Sequence, residues 1–120
     1  MRTHIRRFKL SDTFVDQYRD REVPWGPLGY ITFKRTYARR LSEFNENATG
    51  SEEWFQTCRR VIEGMFDMQK QHVYRLGLEW VDHKAQRTAK DAYDRLFTLK
   101  WTPPGRGLWM MGTKFVNERT

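Results

Sequence analysis

The residues of this chain best suited to chemistry form a glycine–arginine turn near its C-terminal end. Gly105-Arg106-Gly107 precedes the apolar run Leu108-Trp109-Met110-Met111, and Gly112 follows that run. Glycines let a backbone approach a phosphate closely, and an arginine adds a bidentate donor. The turn lacks the lysine of a P-loop and the third glycine of a dinucleotide fingerprint. The pattern therefore leaves two interpretations, a phosphate-binding turn or a plain tight turn that leads into a buried strand.

The other reactive side chains give weaker signals. Cys58, the single cysteine, lies on the apolar stripe of a predicted helix, where a thiol is expected to be a buried and inert hydrophobe. His4, His72 and His83 each lack a second ligand three or four residues away, so no metal site is predicted. No pair of carboxylates stands out as a general acid and base.

The charge of the chain indicates an anionic partner. The sequence has 22 Lys and Arg against 15 Asp and Glu, for a formal net charge of +7. Arginines interspersed with aromatic residues are typical of nucleic-acid surfaces. A stand-alone basic helical module that binds nucleic acid is therefore the alternative hypothesis. Because these charges fall between apolar positions, a solvated face or a face docked on protein is favoured, and a nucleic-acid partner is unlikely. The basic residues in question are Lys34, Arg35, Arg39, Arg40, Arg59, Arg60, Arg87, Arg95 and Arg106.

Length and composition limit the class of protein. A chain of 120 residues fits one small domain or a piece of a larger one. One cysteine excludes an internal disulfide and a zinc site built on several thiolates. No apolar run is long enough for a secretory signal or a membrane span. A cytoplasmic protein without a membrane partner is expected.

Two amphipathic segments are predicted in the first half of the chain. Ser11 is a candidate N-cap for a short helix that ends before Pro24. Pro27 suits the first turn of a second helix. The apolar stripe of that helix consists of Tyr30, Phe33, Tyr37, Leu41 and Phe44. The β-prone residues 30–33 leave a strand as the alternative.

The strongest predicted helix begins after Ser51 as N-cap. Glu52 and Glu53 would lie in its first turn, where negative charge meets the positive end of the helix dipole. Gly77 is a candidate C′ residue after about seven turns. One face is predicted to carry Phe55, Cys58, Ile62, Met65, Met68, His72 and Leu76.

A further helix and an isolated strand complete the pattern. Asp82 can cap the helix, and Thr102-Pro103-Pro104-Gly105 would stop it. Its inner face would consist of Ala85, Ala89, Ala92, Tyr93, Leu96 and Phe97. The apolar run at 108–111 reads as a buried strand, which needs sheet neighbours. Since no other confident strand is predicted, that sheet is expected beyond Thr120 or in another chain.

Three blocks, taken together, resemble one enzyme family. They are residues 25–39 (WGPLGYITFKRTYAR), 53–64 (EWFQTCRRVIEG) and 103–113 (PPGRGLWMMGT). Their order and spacing resemble the N-terminal region of the adenosylcobalamin-dependent (class II) ribonucleotide reductases, particularly the monomeric ribonucleoside-triphosphate reductase type. The resemblance covers about residues 14–113.

The resemblance implies a mainly α fold, namely the N-terminal helical layer of a ten-stranded α/β-barrel reductase. Residues 1–102 would form the helical region, and residues 103–120 would form the glycine turn and the entry to the first barrel strand. Arg106, Gly107, Met111 and Gly112 would lie near the phosphate end of the substrate. These enzymes make deoxyribonucleotides from ribonucleotides by thiyl-radical chemistry, with adenosylcobalamin as cofactor and thioredoxin-type proteins as reductant.

The chain departs from the family in what it lacks. The first redox cysteine would be expected shortly after residues 117–120, where this sequence stops, and Cys58 matches no catalytic cysteine of the family. The resemblance therefore implies that this chain holds no catalytic residue, that most of the cobalamin site lies outside it, and that it does not turn over nucleotides alone. It is interpreted as a fragment or one half of a split enzyme, whose partner is the remainder of the reductase polypeptide.

Overall fold

The computed structural model describes residues 6–101, which form four α-helices and one short 3-10 helix. Within that range the only strand-like pairing is an isolated antiparallel bridge between Arg40 and Ser51. The mainly α prediction is confirmed for this part of the chain. The predicted strand at 108–111 and the predicted substrate-phosphate residues lie outside the described residues. The helices are α1 (Asp12–Asp16), α2 (Gly26–Thr36), α3 (Trp54–Arg75) and α4 (Asp82–Phe97), with the 3-10 helix at Leu41–Glu43.

Helix α1 begins as predicted but ends early. The Ser11 hydroxyl accepts a hydrogen bond from the Phe14 backbone N–H, which satisfies one of the free donors of the first turn. The helix ends at Asp16, well before Pro24. The chain continues in tighter turns, such as the bond from the Tyr18 N–H to the Val15 carbonyl, and these turns keep the Tyr18 ring buried.

Helix α2 confirms the helical interpretation and excludes the strand alternative for residues 30–33. Pro27 lies in its first turn, where a missing N–H costs nothing. The predicted stripe does not continue beyond this helix, because α2 ends at Thr36. Leu41 belongs to the 3-10 helix, and the Phe44 side chain is exposed.

The chain does not continue as a helix after α2, because its backbone there pairs with the segment that precedes α3. The Glu52 N–H donates to the Arg39 carbonyl at 2.8 Å, and the Leu41 N–H donates to the Gly50 carbonyl at 3.1 Å. Gly50 has a φ of +84°, a conformation that favours glycine. These long-range backbone bonds outweigh the local helical pattern.

Helix α3 begins two residues later than predicted. Its N-cap is Glu53, which forms a reciprocal capping box with Gln56. Ser51 as N-cap was therefore wrong, and so was the placement of Glu52 and Glu53 in the first turn. The reason is that Ser51 forms a β-bridge with Arg40, and the Glu52 N–H donates to the carbonyl of residue 39.

The other end of α3 follows the prediction. Gly77, with a φ of +71°, is the C′ residue. The N–H groups of Gly77 and Leu78 donate to the carbonyls of Tyr74 and Val73, which satisfies the last turn. With 22 residues, the helix has about six turns rather than seven.

Residues on every side of α3 are buried, so it is the central helix of the described part. The predicted stripe is buried at Phe55, Cys58 and Ile62, whereas His72 and Leu76 at its end are exposed. Eight further buried residues lie off that stripe, namely Trp54, Thr57, Arg60, Val61, Gly64, Phe66, Asp67 and Lys70. The polar ones among them are a feature that the apolar periodicity did not predict.

Helix α4 packs against α3 with the predicted inner face. Ala89, Tyr93, Leu96 and Phe97 are buried, and the other two alanines are partly buried against the core. Val81 is the N-cap, so Asp82 is the first helical residue rather than the cap.

Helix α4 ends before the predicted Thr102-Pro103 stop. Leu99 adopts a φ of +62°. The N–H groups of Leu99 and Lys100 donate to the carbonyls of Leu96 and Arg95, as in a Schellman ending. Leu99 thus occupies a left-handed position that usually favours glycine. Its side chain packs against the core, which accounts for a leucine at this position.

Aromatic rings fill the space between α1 and α4. The Tyr18 ring lies 4.7 Å from the Tyr93 ring and 4.9 Å from the Phe97 ring, centroid to centroid. Edge-to-face pairs of this kind add to the free energy of burial. Among residues 6–101, no helix combines the length and the apolar character that a membrane span requires.

Candidate functional site

The predicted substrate-phosphate residues Arg106, Gly107, Met111 and Gly112 fall outside the described residues. The described part instead contains groups that hold its elements together. Three such arrangements are present: a buried ion pair, an aromatic cluster and an N-terminal strap.

The buried ion pair joins Glu52 to Arg60. The Glu52 Oε2 atom lies 2.9 Å from Arg60 Nε, and Oε1 lies 3.1 Å from Nη2, which makes the pair bidentate. The two side chains are only 3% and 5% exposed. The Thr57 hydroxyl and the Arg39 N–H each donate to Oε1 at 2.9 Å. A buried carboxylate with this many donors fixes the loop before α3 to the helix itself.

Lysine and arginine side chains also bind the loop that precedes α3. The Lys34 ammonium donates to the carbonyls of Ser51 and Glu52 at 3.1 and 2.8 Å, and it lies 3.2 Å from a carboxylate oxygen of Glu53. Arg39 is paired with Glu43. These cations were interpreted as members of a solvated or docked face. That interpretation was wrong for Arg60, which is buried. Lys34 and Arg39 are partly buried and bind acceptors within the chain.

The aromatic cluster connects α2, α3 and the end of α4. The Trp54 ring lies 4.9 Å from the Trp25 ring and 5.3 Å from the Phe33 ring. The Trp54 Nε1–H donates to the Phe97 carbonyl at 3.1 Å, in the last turn of α4. A Cβ atom at Gly29 would lie 2.8 Å from the Trp25 Cβ, so glycine lets Trp25 fold over the start of α2.

The N-terminal strap, residues 6–10, has no regular secondary structure and lies along α3. The Phe8 N–H donates to Asp67 Oδ1 at 3.0 Å, and the Leu10 N–H donates to Glu63 Oε2 at 2.8 Å. The side chains of Phe8 and Leu10 are buried. Alternate residues of the strap therefore supply both the apolar anchors and the backbone donors, as in a β-strand.

Arg59 joins the strap to α1. Its guanidinium lies 2.7 Å from an Asp12 carboxylate oxygen and 2.9 Å from the carbonyl of Leu10. It also contacts Glu63 at 2.9 Å. Burial raises the pKa of Glu63 above its usual range, against the opposing effect of Arg59.

Cys58 is fully buried in the core, as predicted. Burial raises the pKa of its thiol well above the usual range, and the nearby Glu52 carboxylate adds to the rise. Since the thiolate is the nucleophilic form, this environment disfavours reaction at the sulfur. His72 and His83 are exposed, on α3 and α4. No group of three potential metal ligands is found among residues 6–101, and His4 lies outside that range.

The chemistry available in the described part is therefore that of a scaffold. The buried carboxylates bind backbone N–H groups and arginines of the same chain. Sequence reasoning missed the roles of Glu52, Glu63 and Asp67. These roles become visible only when polar residues are seen to be buried away from the apolar stripe of α3. Apolar periodicity in the sequence does not predict which polar residues are buried.

A family model described as the ribonucleotide reductase alpha domain matches residues 10–113. The chain belongs to this family. The resemblance drawn from the three sequence blocks is thereby confirmed.

Relatives of known description agree with the family. The probable adenosylcobalamin-dependent ribonucleoside-triphosphate reductase of Dictyostelium discoideum is 39% identical over 117 residues, which is 96% of this chain and 15% of that protein. The corresponding enzyme of Euglena gracilis is 37% identical over 116 residues, 94% of this chain and 15% of that protein. The chain spans about 15% of the length of the relatives it matches.

A solved structure has the same fold. The crystal structure of a B12-dependent (class II) ribonucleotide reductase matches with a TM-score of 0.76 and 33% sequence identity. The match covers 94% of this chain and 15% of that one. The helical architecture is therefore that of the N-terminal part of a class II reductase.

Proposed function

We propose that this chain serves as the N-terminal segment of an adenosylcobalamin-dependent ribonucleotide reductase. The complete enzyme would make deoxyribonucleotides from ribonucleoside triphosphates by thiyl-radical chemistry. The observation that carries the proposal is the match of nearly the whole chain to about 15% of reductases with that name. On its own the segment would not be catalytic.

The helices would form a layer that leads into a ten-stranded α/β barrel. We assign residues 1–102 to the helical layer and residues 103–120 to the glycine turn and the entry strand. Support comes from the end of α4, where the helix stops at Phe97 and Leu99 adopts a positive φ, a few residues before residue 103. Arg106 and Gly107, with Met111 and Gly112 after them, would lie near the substrate phosphates.

Adenosylcobalamin would supply the radical in the complete enzyme. The described residues do not fit a site for it. The Cys58 thiol is fully buried, and His72 and His83 are exposed on separate helices. The cofactor is therefore assigned to the remainder of the reductase polypeptide, which is the principal partner. A thioredoxin-type reductant and a cytoplasmic location belong to the same proposal.

The contacts of the cations give the nucleic-acid alternative little support. Arg60, Arg39 and Lys34 bind acceptors within the chain, and Arg95 is paired with Asp91. These side chains are engaged where a nucleic-acid surface would need them available.

Reconstitution tests the proposal. The probe is the Dictyostelium reductase from which the region matching this chain has been removed. We expect that adding the chain restores conversion of a ribonucleoside triphosphate in the presence of adenosylcobalamin and a dithiol. Each polypeptide alone is the control and should be inactive. Failure of the pair to bind and to react would contradict the proposal.

A further inference from the structure

The last turn of α4 takes one of its hydrogen-bond donors from another helix. The last four carbonyls of an α-helix have no partner within the helix. In α4 the carbonyls of residues 94–96 accept from the N–H groups of residues 98–100, which follow in the same chain. The carbonyl of Phe97 accepts instead from the indole N–H of Trp54, the first residue of α3, at 3.1 Å. The point at which the chain leaves α4 is therefore coupled to α3 through this side chain.

The bond between Trp54 and Phe97 is shielded from water. The two residues are only 5% and 1% exposed. A buried acceptor that loses its donor costs more free energy than an ordinary hydrogen bond contributes, because it has already lost its water. Without the indole N–H, the last turn of α4 would be favoured in a position where water reaches the Phe97 carbonyl. The bond therefore selects one position for that turn.

The Trp54 ring is itself held in place. The rings of Trp25 and Phe33 lie 4.9 and 5.3 Å from it, centroid to centroid. The capping box between Glu53 and Gln56 fixes the backbone at the start of α3. Because side chains packed in this way have few alternative rotamers, α3 presents the indole N–H at a defined position.

Few residues separate this anchored turn from the residues assigned to the substrate phosphates. Trp101 is partly buried against the same core, so the chain stays attached to the helices up to the last described residue. In the sequence, Thr102-Pro103-Pro104 lead from there to Gly105-Arg106-Gly107. Proline fixes its own φ and restricts the residue before it, so the sequence predicts a stiff connection. A displacement at the end of α4 would therefore be passed on to residues 105–107.

We propose that Trp54 is a positioning residue for the substrate-phosphate turn of the reductase. The inference rests on the proposed function and adds a residue of α3 that acts on this turn through the Phe97 carbonyl. Trp54 itself does not contact the nucleotide. A contact to the substrate phosphates persists from binding to the transition state, so its loss raises the Michaelis constant and leaves kcat nearly unchanged.

Trp80 provides a matched control at the other end of α4. Its indole N–H donates to a carboxylate oxygen of Asp82, the first residue of α4, at 3.2 Å. Helix α4 has 16 residues and spans about 24 Å, so this bond is far from the end where the chain leaves the helix. Replacing either tryptophan by phenylalanine thus removes the same donor at opposite ends of one helix.

Kinetics of the chain paired with the shortened Dictyostelium reductase test this inference. With the chain in saturating excess, Trp54→Phe should raise the Michaelis constant for the ribonucleoside triphosphate about threefold or more, and change kcat by less than about twofold. Trp80→Phe should leave both constants unchanged. Excess chain compensates for weaker folding or weaker association, so a purely structural role of Trp54 would not raise the Michaelis constant.

A closer isostere removes the hydrogen bond alone. Incorporation of 3-benzothienylalanine at position 54 keeps the shape of the indole and replaces its N–H by sulfur. The expected rise in the Michaelis constant is the same as for Trp54→Phe. Circular dichroism shows whether each variant folds, and the isostere decides the question if the phenylalanine variant does not.

Hydrogen exchange of the chain gives a second measurement. The Lys100 amide donates to the Arg95 carbonyl at 2.8 Å, and it should exchange faster in both position-54 variants and at the original rate in Trp80→Phe. Unchanged exchange at Lys100, an unchanged Michaelis constant, or an equal rise in Trp80→Phe would overturn the positioning role while the proposed function stands. If the unsubstituted chain neither binds nor restores activity, the proposed function itself is wrong and the positioning role falls with it.

Discussion

Glu52 is the residue whose role differs most from its predicted one. It was expected at the dipole of a helix, and it is instead a buried carboxylate that binds Arg60, Thr57 and the backbone of residue 39. A buried pair of this kind adds little net stability, but breaking it leaves a charge without its counter-ion. It therefore specifies one position for the loop before α3.

Neutralising this carboxylate should destabilise the chain strongly. We expect Glu52→Gln to lower the free energy of unfolding by about 3–5 kcal/mol, because the Arg60 guanidinium loses its buried anionic partner. Urea unfolding followed by circular dichroism measures the change. The control is Glu46→Gln on the exposed part of the same loop, which should have an effect below about 0.5 kcal/mol. Equal effects at both positions would contradict the role of the ion pair.

Tyr18 should make stability depend on alkaline pH. Burial, together with the hydrogen bond to Asp94 at 2.8 Å, raises the pKa of Tyr18 to about 12. A pKa raised in the folded state gives stability that is fully present below about pH 10, the ordinary value, and is lost as the pH rises through about 12. Tyr93, whose pKa burial also raises, acts in the same direction.

Unfolding experiments at increasing pH check the contribution of Tyr18. We expect Tyr18→Phe to cost about 1 kcal/mol at neutral pH, from the lost hydrogen bond, and to reduce the fall in stability above pH 10. Tyrosinate absorbance of the folded chain should show titration near pH 12. The same alkaline slope in the variant would refute the assignment.

At the scale of elements, the described part depends on helices that bind segments without regular secondary structure. The strap at residues 6–10 has no periodic signal of its own, and α3 holds it through Glu63 and Asp67. The side chains of Leu10 and Phe8 are buried beside these hydrogen bonds and supply the apolar contact. Because an N–H group buried without an acceptor is costly, the two carboxylates decide whether the strap stays docked.

Two substitutions at one position separate hydrogen bonding from charge in the strap. Glu63→Ala removes the acceptor of the Leu10 N–H and should cost about 1–3 kcal/mol. Glu63→Gln keeps an acceptor oxygen and removes a charge that burial disfavours, so we expect a smaller loss. Hydrogen exchange at the Leu10 amide should accelerate in the alanine variant alone. Equal loss of stability in both variants would mean that the charge, not the acceptor, holds the strap.

At the scale of the whole molecule, the chain is a small part of a much larger architecture. It spans about 15% of the length of its relatives, and its buried polar groups bind one another. We therefore expect its substitutions to affect the proposed enzyme in two separable ways, through the stability of the helical layer and through the glycine turn predicted at residues 105–107.

Kinetics of the reconstituted enzyme distinguish those two ways. Arg106→Ala should raise the Michaelis constant for the ribonucleotide about tenfold or more, because a charged hydrogen bond to a phosphate is worth about 1.5–3 kcal/mol. Cys58→Ser is the control and should leave turnover largely intact, since that thiol is buried in the core. An unchanged Michaelis constant would remove Arg106 from the site, and loss of turnover in a folded Cys58→Ser variant would refute its packing role.

Much of the helical content followed from the sequence. The stripes of α3 and α4, the Ser11 cap and the Gly77 ending depend on residues within a few positions of one another, so local spacing was sufficient to predict them. Family membership also followed, because it depends on the order of residue types along the chain.

Only the tertiary structure decided where α2 ends, where α3 begins and what the polar residues do. The end of α2 and the start of α3 are set by backbone bonds between residues 39–41 and 50–52. The Glu52–Arg60 pair and the strap join residues that local patterns do not relate. The physical reason is that a buried donor or acceptor must find a partner wherever the folded chain supplies one. Local propensity favours an element. Hydrogen bonds between residues that are distant in the sequence then determine where it begins or ends.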